Sequence, residues 1–332
     1  MLAKYLVSRI FNQLRCWLSY ALSLFGVVRV HHLPTFVSIE PANCCQLRCP
    51  ECPVGRRHKE RYAKGNKLMT MELFERVLQQ VQNSVHTVQF YFQGEPLLNP
   101  QLSKMIARAK EVGLFTIVST NAQALTQMMA KELVRSGLNR IIVSIDGFSK
   151  DSYAAYRVGG DLHRALEGLR FLQEAKMQYH SSISIELQVL RLRTNEHEWK
   201  WISRNYKKMG ATRLVMKTAQ LYDYQNGHPL MPTDEHYSRY KRQSNGTYQL
   251  VRPRPISFKR HVVPCYRLWS GCVLTTDGTL VPCCYDKACE YQFGSLLQHN
   301  LKDIWHNKKA DDFRRQVLKK NNTIPICRDC YF

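Results

Sequence analysis

The chain has 332 residues, of which 44% are apolar and 22% charged, a composition typical of a globular enzyme. Its formal net charge of +22 favours a polyanionic partner, such as an anionic membrane, a phosphorylated substrate or, less strongly, nucleic acid. Twelve clustered cysteines in so long a chain exclude a small disulfide-stapled domain and indicate metal ligation in a reducing compartment such as the cytoplasm.

Residues 1–30 are predicted to form an amphipathic helix, the main part of an N-terminal segment 1–33. Apolar side chains recur every three or four residues from Leu6 to Leu24, and polar ones such as Arg9 and Asn12 fall on the opposite face. The longest apolar run is shorter than the roughly 20 residues of a membrane-spanning helix. We expect this helix either to pack against the rest of the protein or to make a peripheral membrane contact.

Strands and helices alternate over residues 34–217. The predicted strands are Phe36–Glu40, Thr87–Phe92, Leu114–Ser119, Arg140–Ile145, Ser182–Leu190 and Thr212–Lys217. Helices are predicted between them near Thr70–Gln82, 100–112, 123–136 and 195–208, with helical stretches to about 175. Six such units imply a parallel sheet with right-handed crossovers. The predicted fold is therefore α/β, a partial (β/α)6 TIM-type barrel.

The loop after the first strand contains Cys45, Cys49 and Cys52 in the spacing C-x3-C-x2-C. Three thiolates on one loop can hold three irons of a 4Fe–4S cluster and leave the fourth iron without a protein ligand. Such an open position is what a reactive metal centre needs. A zinc site that uses Cys49 and Cys52 with a distant pair is the alternative.

Polar residues also follow the next three predicted strands. They are Gly94-Glu95-Pro96, Thr120-Asn121 and Ser144-Ile145-Asp146-Gly147. Each is weak alone, because Asp-Gly is an ordinary turn and Glu95 could merely cap a helix. The carboxyl ends of parallel barrel strands meet at one rim, where active sites are built. Their succession therefore predicts a site at this rim.

Together these motifs resemble the signature of the radical S-adenosylmethionine (SAM) superfamily. The resemblance implies that Cys45, Cys49 and Cys52 ligate a cluster whose open iron is chelated by SAM, and that one electron cleaves SAM to a 5′-deoxyadenosyl radical. It also implies SAM contacts from Gly94, Glu95, Pro96, Thr120, Asn121, Ser144 and Asp146. Gln93 stands where the family often has another glycine.

Residues 218–260 have little periodicity and are rich in tyrosine and basic residues, as in Arg239-Tyr240-Lys241-Arg242. A solvated linker is the plainer expectation. A lid over an anionic substrate and a groove for a nucleic-acid strand are the alternatives.

Residues 261–332 contain a second group of cysteines. Val273–Thr276 and Thr279–Val281 flank Asp277-Gly278 and predict a β-hairpin, and a helix is predicted near 301–320. This region resembles the SPASM/twitch domain of radical SAM enzymes in its single-cluster form. The resemblance implies one auxiliary 4Fe–4S cluster with the ligands Cys265, Cys283, Cys327 and Cys330, with Cys284 as the substitute for Cys283. A structural zinc in a small ribbon-like module is the alternative.

The resemblance implies an enzyme of the oxidoreductase or epimerase type that abstracts a hydrogen atom from a sugar-like or other small substrate. A flavodoxin or ferredoxin is the expected electron donor. A peptide or RNA substrate is the alternative, and a non-catalytic zinc module on a barrel is an alternative of another class. The candidates for a base, hydrogen donor or other catalytic group are Arg157, Lys217, Tyr266, Arg267 and Asp286.

Overall fold

A computed structural model describes residues 2–56, 67–251, 257–258, 261–262, 264–320, 323–328 and 330. The α-helices are α1 (Leu2–Ser23), α2 (Met71–Val81), α3 (Leu102–Glu111), α4 (Gln127–Arg135), α5 (Lys150–Tyr156), α6 (Leu162–Gln178), α7 (Trp199–Asn205), α8 (Tyr266–Ser270), α9 (Leu301–Trp305), α10 (Lys308–Lys320) and α11 (Pro325–Arg328). The strands are β1 (Phe36–Ile39), β2 (Thr87–Phe90), β3 (Phe115–Thr120), β4 (Arg140–Ser144), β5 (Ser184–Arg191), β6 (Arg213–Thr218), β7 (Tyr240–Arg242), β8 (Tyr248–Leu250), β9 (Ser257–Phe258), β10 (His261–Val262), β11 (Gly271–Leu274), β12 (Thr279–Val281) and β13 (Gly294–Ser295).

Strands β1 to β6 lie side by side in chain order and are all parallel. This arrangement confirms the predicted partial (β/α)6 barrel. The helix predicted near 301–320 is instead two helices. Asn307 separates them, because its side-chain oxygen accepts a hydrogen bond from Ala310 N (2.9 Å) and caps the start of α10.

The predicted C-terminal hairpin is confirmed, with β11 antiparallel to β12. Its turn contains Gly278, whose φ of +76° favours glycine. Strand β11 also pairs in parallel with β1, so among the described residues the hairpin and β13 extend the barrel sheet to nine strands. The second cysteine group is thus attached to the same sheet as the first.

Helix α1 packs on the barrel, but by its polar face. The Arg9 guanidinium donates to the carbonyls of Gln82, Val112 and Gly113 at 2.7–2.9 Å, and Arg9 is buried. These carbonyls lie just beyond the C-termini of α2 and α3, where helix dipoles favour a cation. Within the part of the chain that the structure describes, no helix is both long and apolar enough to cross a membrane.

The described part of segment 218–260 is not a solvated linker. Leu221, Leu230, Met231 and Tyr240 are buried and form an apolar cluster with Cys49 of the cysteine loop. The Tyr240 hydroxyl also accepts from Leu221 N at 2.8 Å and donates to Leu221 O at 3.0 Å. This segment therefore packs beside the cysteine loop, and its action as a lid stays a prediction.

Candidate active site

A cavity of about 520 Å³ opens at the carboxyl ends of β1 to β6. Its volume lies within the range of small-molecule and cofactor sites. The cysteine loop and the polar residues that follow β2, β3 and β4 all contribute to its wall, as the order of the motifs predicts. Residues from the second cysteine group form the opposite part of the wall, so both groups face one space.

Cys45, Cys49 and Cys52 all line this cavity. A tight turn brings the last two together, with Cys52 N donating to Cys49 O at 3.1 Å. Gly55 completes the turn, because a Cβ atom at this position would lie 2.2 Å from Cys49 O. The sequence C-P-E-C-P-V-G thus folds back on itself and points its thiols inward.

The surroundings of these thiols suit a multi-iron cluster. Leu47 N and Asn121 Nδ2 each donate to Cys45 Sγ at 3.4 Å. Burial raises the pKa of Cys45 to about 12 and that of Cys49 to about 11, and repulsion from the neighbouring Cys52 thiol adds to both. Thiolates at Cys45 and Cys49 therefore form readily only when a metal replaces their protons. Among the described residues, no three His, Cys, Asp or Glu side chains lie close enough together to hold a single metal ion.

Glu95 joins the ends of β2 and β3. Its Oε1 accepts from Thr120 Oγ1 (2.7 Å) and Leu97 N (3.1 Å), and its Oε2 accepts from Asn121 N (2.8 Å). Burial raises the pKa of Glu95, and these hydrogen bonds oppose the rise. Gly94 is required beside it, because a Cβ atom there would lie 2.0 Å from Ala42 O. The loops after β1, β2 and β3 are therefore locked to one another at the cavity wall.

Arg157 also lines the cavity, and it lies between Cys49 and Asp146. Arg157 Nη2 is 2.7 Å from Asp146 Oδ2, and Asp146 Oδ1 accepts from Leu190 N at 2.6 Å. Burial by itself lowers the pKa of Arg157, but the Asp146 carboxylate and the Cys49 thiol raise it overall. The guanidinium therefore remains charged beside the cysteine loop.

Two residues predicted to contact SAM do not line the cavity. Asp146 lies behind Arg157 and is 1% exposed, and Pro96 begins a short 3-10 helix, Pro96–Leu98, below Glu95. Gly94, Glu95, Thr120, Asn121 and Ser144 do line it. Turn sequences mark which strand ends converge, but they do not show which side chain points inward.

The second group of thiols meets the cavity through Cys283 and Cys284. Burial raises the pKa of Cys283 well above its ordinary value, and repulsion from Cys284, Cys265 and Cys327 adds to the rise. Cys330 N donates to Cys327 O at 3.2 Å, which closes the C-terminal turn. The structure thus brings Cys265, Cys283, Cys284 and Cys327 near one another, with Cys330 on the adjoining turn.

The wall between the two thiol groups is cationic. Lys217, Arg239, Arg267 and Lys287 all line the cavity. Arg239 Nε donates to Thr218 Oγ1 at 2.9 Å, and Lys287 Nζ donates to Gln220 Oε1 at 3.1 Å. Burial lowers the pKa of Lys217 and of Lys287.

Two of the predicted catalytic residues do not line the cavity, and one cation of its wall, Arg239, was not among the predicted site residues. Tyr266 lies at the far end of the sheet, where its ring packs edge-on against Tyr20 of α1 at 5.0 Å. Asp286 is buried and accepts from Glu290 N and Tyr291 N, so it holds the loop after Cys284. Arg239 lies far from every motif in sequence, and its basic surroundings were the only signal.

Comparisons with known proteins agree with this geometry. The model of the radical SAM superfamily matches residues 39–189, and that of an iron–sulfur cluster-binding domain, SPASM, matches residues 265–331. The tungsten-containing aldehyde ferredoxin oxidoreductase cofactor-modifying protein of Pyrococcus furiosus is 23% identical over 325 residues, which cover 89% of this chain and 86% of the relative.

Two solved structures share the fold over most of their length. BtrN in complex with AdoMet and 2-DOIA has a TM-score of 0.54 at 17% identity, over 90% of this chain and 94% of BtrN. Streptococcus suis SuiB bound to the precursor peptide SuiA has a TM-score of 0.63 at 13% identity, over 91% of this chain and 72% of SuiB.

Proposed function

This chain belongs to the radical SAM superfamily and has a C-terminal SPASM domain, and from this premise we propose that it abstracts a hydrogen atom from an anionic small molecule. The product is proposed to form by oxidation or by epimerisation. The observation that carries the proposal is one cavity whose wall contains two groups of thiols and a set of four cations.

Cys45, Cys49 and Cys52 are the proposed ligands of the radical SAM cluster. With cluster and SAM bound, the site supplies one electron that cleaves SAM and yields a 5′-deoxyadenosyl radical. Asn121 and Leu47 donate hydrogen bonds to Cys45 Sγ, and such donors stabilise negative charge on sulfur. Arg157 places a fixed positive charge beside Cys49.

The proposed SAM contacts are Gly94, Glu95, Thr120, Asn121 and Ser144, which share one wall. Glu95 is held by three hydrogen bonds, so its carboxylate is positioned before any ligand arrives. Asp146 and Pro96 are proposed to act as positioning residues behind this wall. Fixing these groups in advance reduces the entropic cost of binding SAM.

The substrate is proposed to carry a carboxylate or a phosphate. Lys217, Arg239, Arg267 and Lys287 line the cavity beside the thiol groups, and a cleft lined by charges of one sign attracts ligands of the opposite sign. Lys217 is the proposed general base if an alcohol is oxidised, because burial lowers its pKa and favours the neutral amine.

Cys265, Cys283, Cys327 and Cys330 are the proposed ligands of the auxiliary cluster. Four protein ligands leave no open iron, which suits electron transfer rather than SAM binding. If the substrate is oxidised, this cluster would accept the electron that the substrate radical gives up. A flavodoxin or ferredoxin in the cytoplasm is the proposed donor for the radical SAM cluster.

A peptide substrate is the second candidate. The β7–β8 hairpin carries Lys241 and Arg242, both exposed, next to Arg239 on the cavity wall. An acidic peptide could therefore run from the hairpin into the cavity. SuiB, which shares the fold, was solved with a precursor peptide. A short precursor-peptide gene beside the gene of this protein would favour this candidate.

The first test is an iron and sulfide count with a SAM cleavage assay on anaerobically reconstituted protein. We expect about eight irons, as for two 4Fe–4S clusters, and formation of 5′-deoxyadenosine. About four irons with cleavage would remove the auxiliary cluster from the proposal. Bound zinc with no iron and no cleavage would contradict the whole proposal.

The substrate class is tested with matched sugars on the same preparation. Glucuronate and glucose 6-phosphate, compared with glucose, should raise 5′-deoxyadenosine formation above the uncoupled rate if the cationic wall selects anions. The Lys217→Met and Arg239→Met variants should lose this difference and keep the uncoupled rate. Equal responses to charged and neutral sugars would contradict an anionic substrate of this kind.

A further inference from the structure

The outer face of α1 is an exposed apolar surface, because the polar face is the one that packs on the barrel. Seven large apolar residues are between 48% and 62% exposed: Leu6, Val7, Ile10, Phe11, Leu14, Trp17 and Leu18. At 100° per residue they occupy one continuous arc of about 140°. We call this arc the α1 apolar face. Its area is on the order of 600 Å², at the upper limit for a monomer without a partner on that surface.

The hydrogen bonds that attach α1 to the barrel keep the α1 apolar face exposed. Arg9 is 4% exposed and donates to three backbone carbonyls, and Asn12 both donates to Leu33 O and accepts from Leu33 N, each at 2.9 Å. Further along the helix, Tyr20 OH donates to Pro264 O at 3.1 Å. Rotating the helix to bury its apolar face would turn Arg9 and Asn12 away and leave the backbone carbonyls that they bind without these donors.

The charges around the α1 apolar face are positive. Lys4 and Arg15 are exposed and lie at one edge of the arc, and the chain has no acidic residue before Glu40. Beyond this edge, Arg15 shares a surface groove with Lys302, His31 and one carboxylate, Asp303. A second copy of this chain would bring like charges together, whereas an anionic bilayer would neutralise them.

We infer that α1 lies in the headgroup region of a bilayer that contains anionic phospholipid, with its apolar face inserted and Lys4 and Arg15 at the phosphates. An apolar face, a basic edge and an exposed tryptophan are the features by which interfacial helices bind anionic membranes. Trp17 places an amphipathic ring in that face, which suits the interface.

The geometry leaves the active site open to solvent in the bound state. Helix α1 packs beside Trp269, which precedes β11, and beside Leu33, which precedes β1. It therefore covers the amino ends of the strands, and the cavity opens at their carboxyl ends. The inference is thus independent of the reaction proposed above, and SAM cleavage should not depend on membrane binding.

The test is cosedimentation of the holoprotein with vesicles of 70% phosphatidylcholine and 30% phosphatidylglycerol, compared with pure phosphatidylcholine. We expect at least tenfold stronger binding to the anionic vesicles. The Phe11→Ser/Leu14→Ser/Leu18→Ser variant should lose at least tenfold in binding and retain its melting temperature and its SAM cleavage. Lys4→Gln/Arg15→Gln should reduce the preference for anionic vesicles.

The matched control replaces three exposed apolar residues elsewhere, Met128→Ser/Met177→Ser/Leu297→Ser, which are 57–72% exposed. It should bind vesicles like the parent chain. Failure of the parent chain to bind anionic vesicles, or equal binding by the α1 variant, would overturn the inference. The inference would also be overturned if the parent chain were a dimer that does not bind vesicles and the α1 variant were a monomer. A second copy of the chain would then cover this face.

Discussion

Arg157 and Asp146 form a buried ion pair directly behind the cysteine loop, with Nη2 2.7 Å from Oδ2. The Asp146 side chain is 1% exposed and that of Arg157 14%, so water screens the pair only weakly. The pair joins the end of β4 to a cation beside Cys49 and fixes that cation in the cavity wall.

Asp146→Ala is expected to destabilise the fold by about 3–5 kcal/mol, because it leaves a buried guanidinium without its carboxylate. Urea unfolding of the variant and of the parent chain measures this difference. The control is Glu174→Ala, which breaks an exposed pair with Arg170 (2.8 Å) and should cost less than about 0.5 kcal/mol. Equal losses of stability in the two variants would show that the buried pair contributes no more than the exposed pair.

Gly94→Ala is expected to lower the melting temperature and to reduce SAM cleavage by more than tenfold. The added methyl group would lie 2.0 Å from Ala42 O, so the loops after β1 and β2 would have to separate. Gly246→Ala is the control, since nothing lies within 4 Å of its Cβ position and only its φ of +83° costs about 1 kcal/mol. Normal cleavage by the Gly94 variant would show that the loop tolerates the shift.

Cys283→Ser is expected to lower the iron content by about four atoms, whereas Cys284→Ser should leave it unchanged. Both thiols lie near Cys265, but Cys327 acts on Cys283, whereas Cys284 Sγ lies 3.8 Å from Arg267 Nη1 on the cavity wall. Iron analysis with the visible absorption spectrum checks this, and 5′-deoxyadenosine formation should persist in both variants. Iron loss in the Cys284 variant alone would exchange the two assignments.

Because of His32, we expect the free energy of unfolding to fall as the pH is lowered below about 6.5. Burial lowers its pKa to about 4, while its ring nitrogens contact Ser19 Oγ (3.2 Å) and Trp269 O (2.8 Å). The unfolded chain therefore binds a proton that the folded chain excludes. Between pH 7.5 and 5.5 this single group should remove about 1.3 kcal/mol of stability.

Urea unfolding of the parent chain and of His32→Gln at both pH values measures this term, because the other titrating groups cancel in the difference. The advantage of the parent chain over the variant should shrink as the pH falls. A difference that stays constant would mean that His32 titrates normally in the folded protein.

The amino-acid sequence by itself predicted the barrel and the location of its site. Both depend on local patterns, namely the alternation of strand and helix and the polar residues at successive strand ends. Because parallel strands end at one rim, the order of Cys45, Glu95, Asn121 and Ser144 was enough to place them together. The cysteine spacings likewise identified both thiol groups before any contact was known.

Only the tertiary structure decided which neighbouring side chains face the cavity. Tyr266 and Asp286 adjoin cysteines in sequence but point away from the cavity, whereas Arg239 reaches it from a distant segment. The sequence also showed that α1 has two faces, but not which face the barrel would cover. That choice depends on the carbonyls beyond α2 and α3, which bind Arg9 only after the chain has folded.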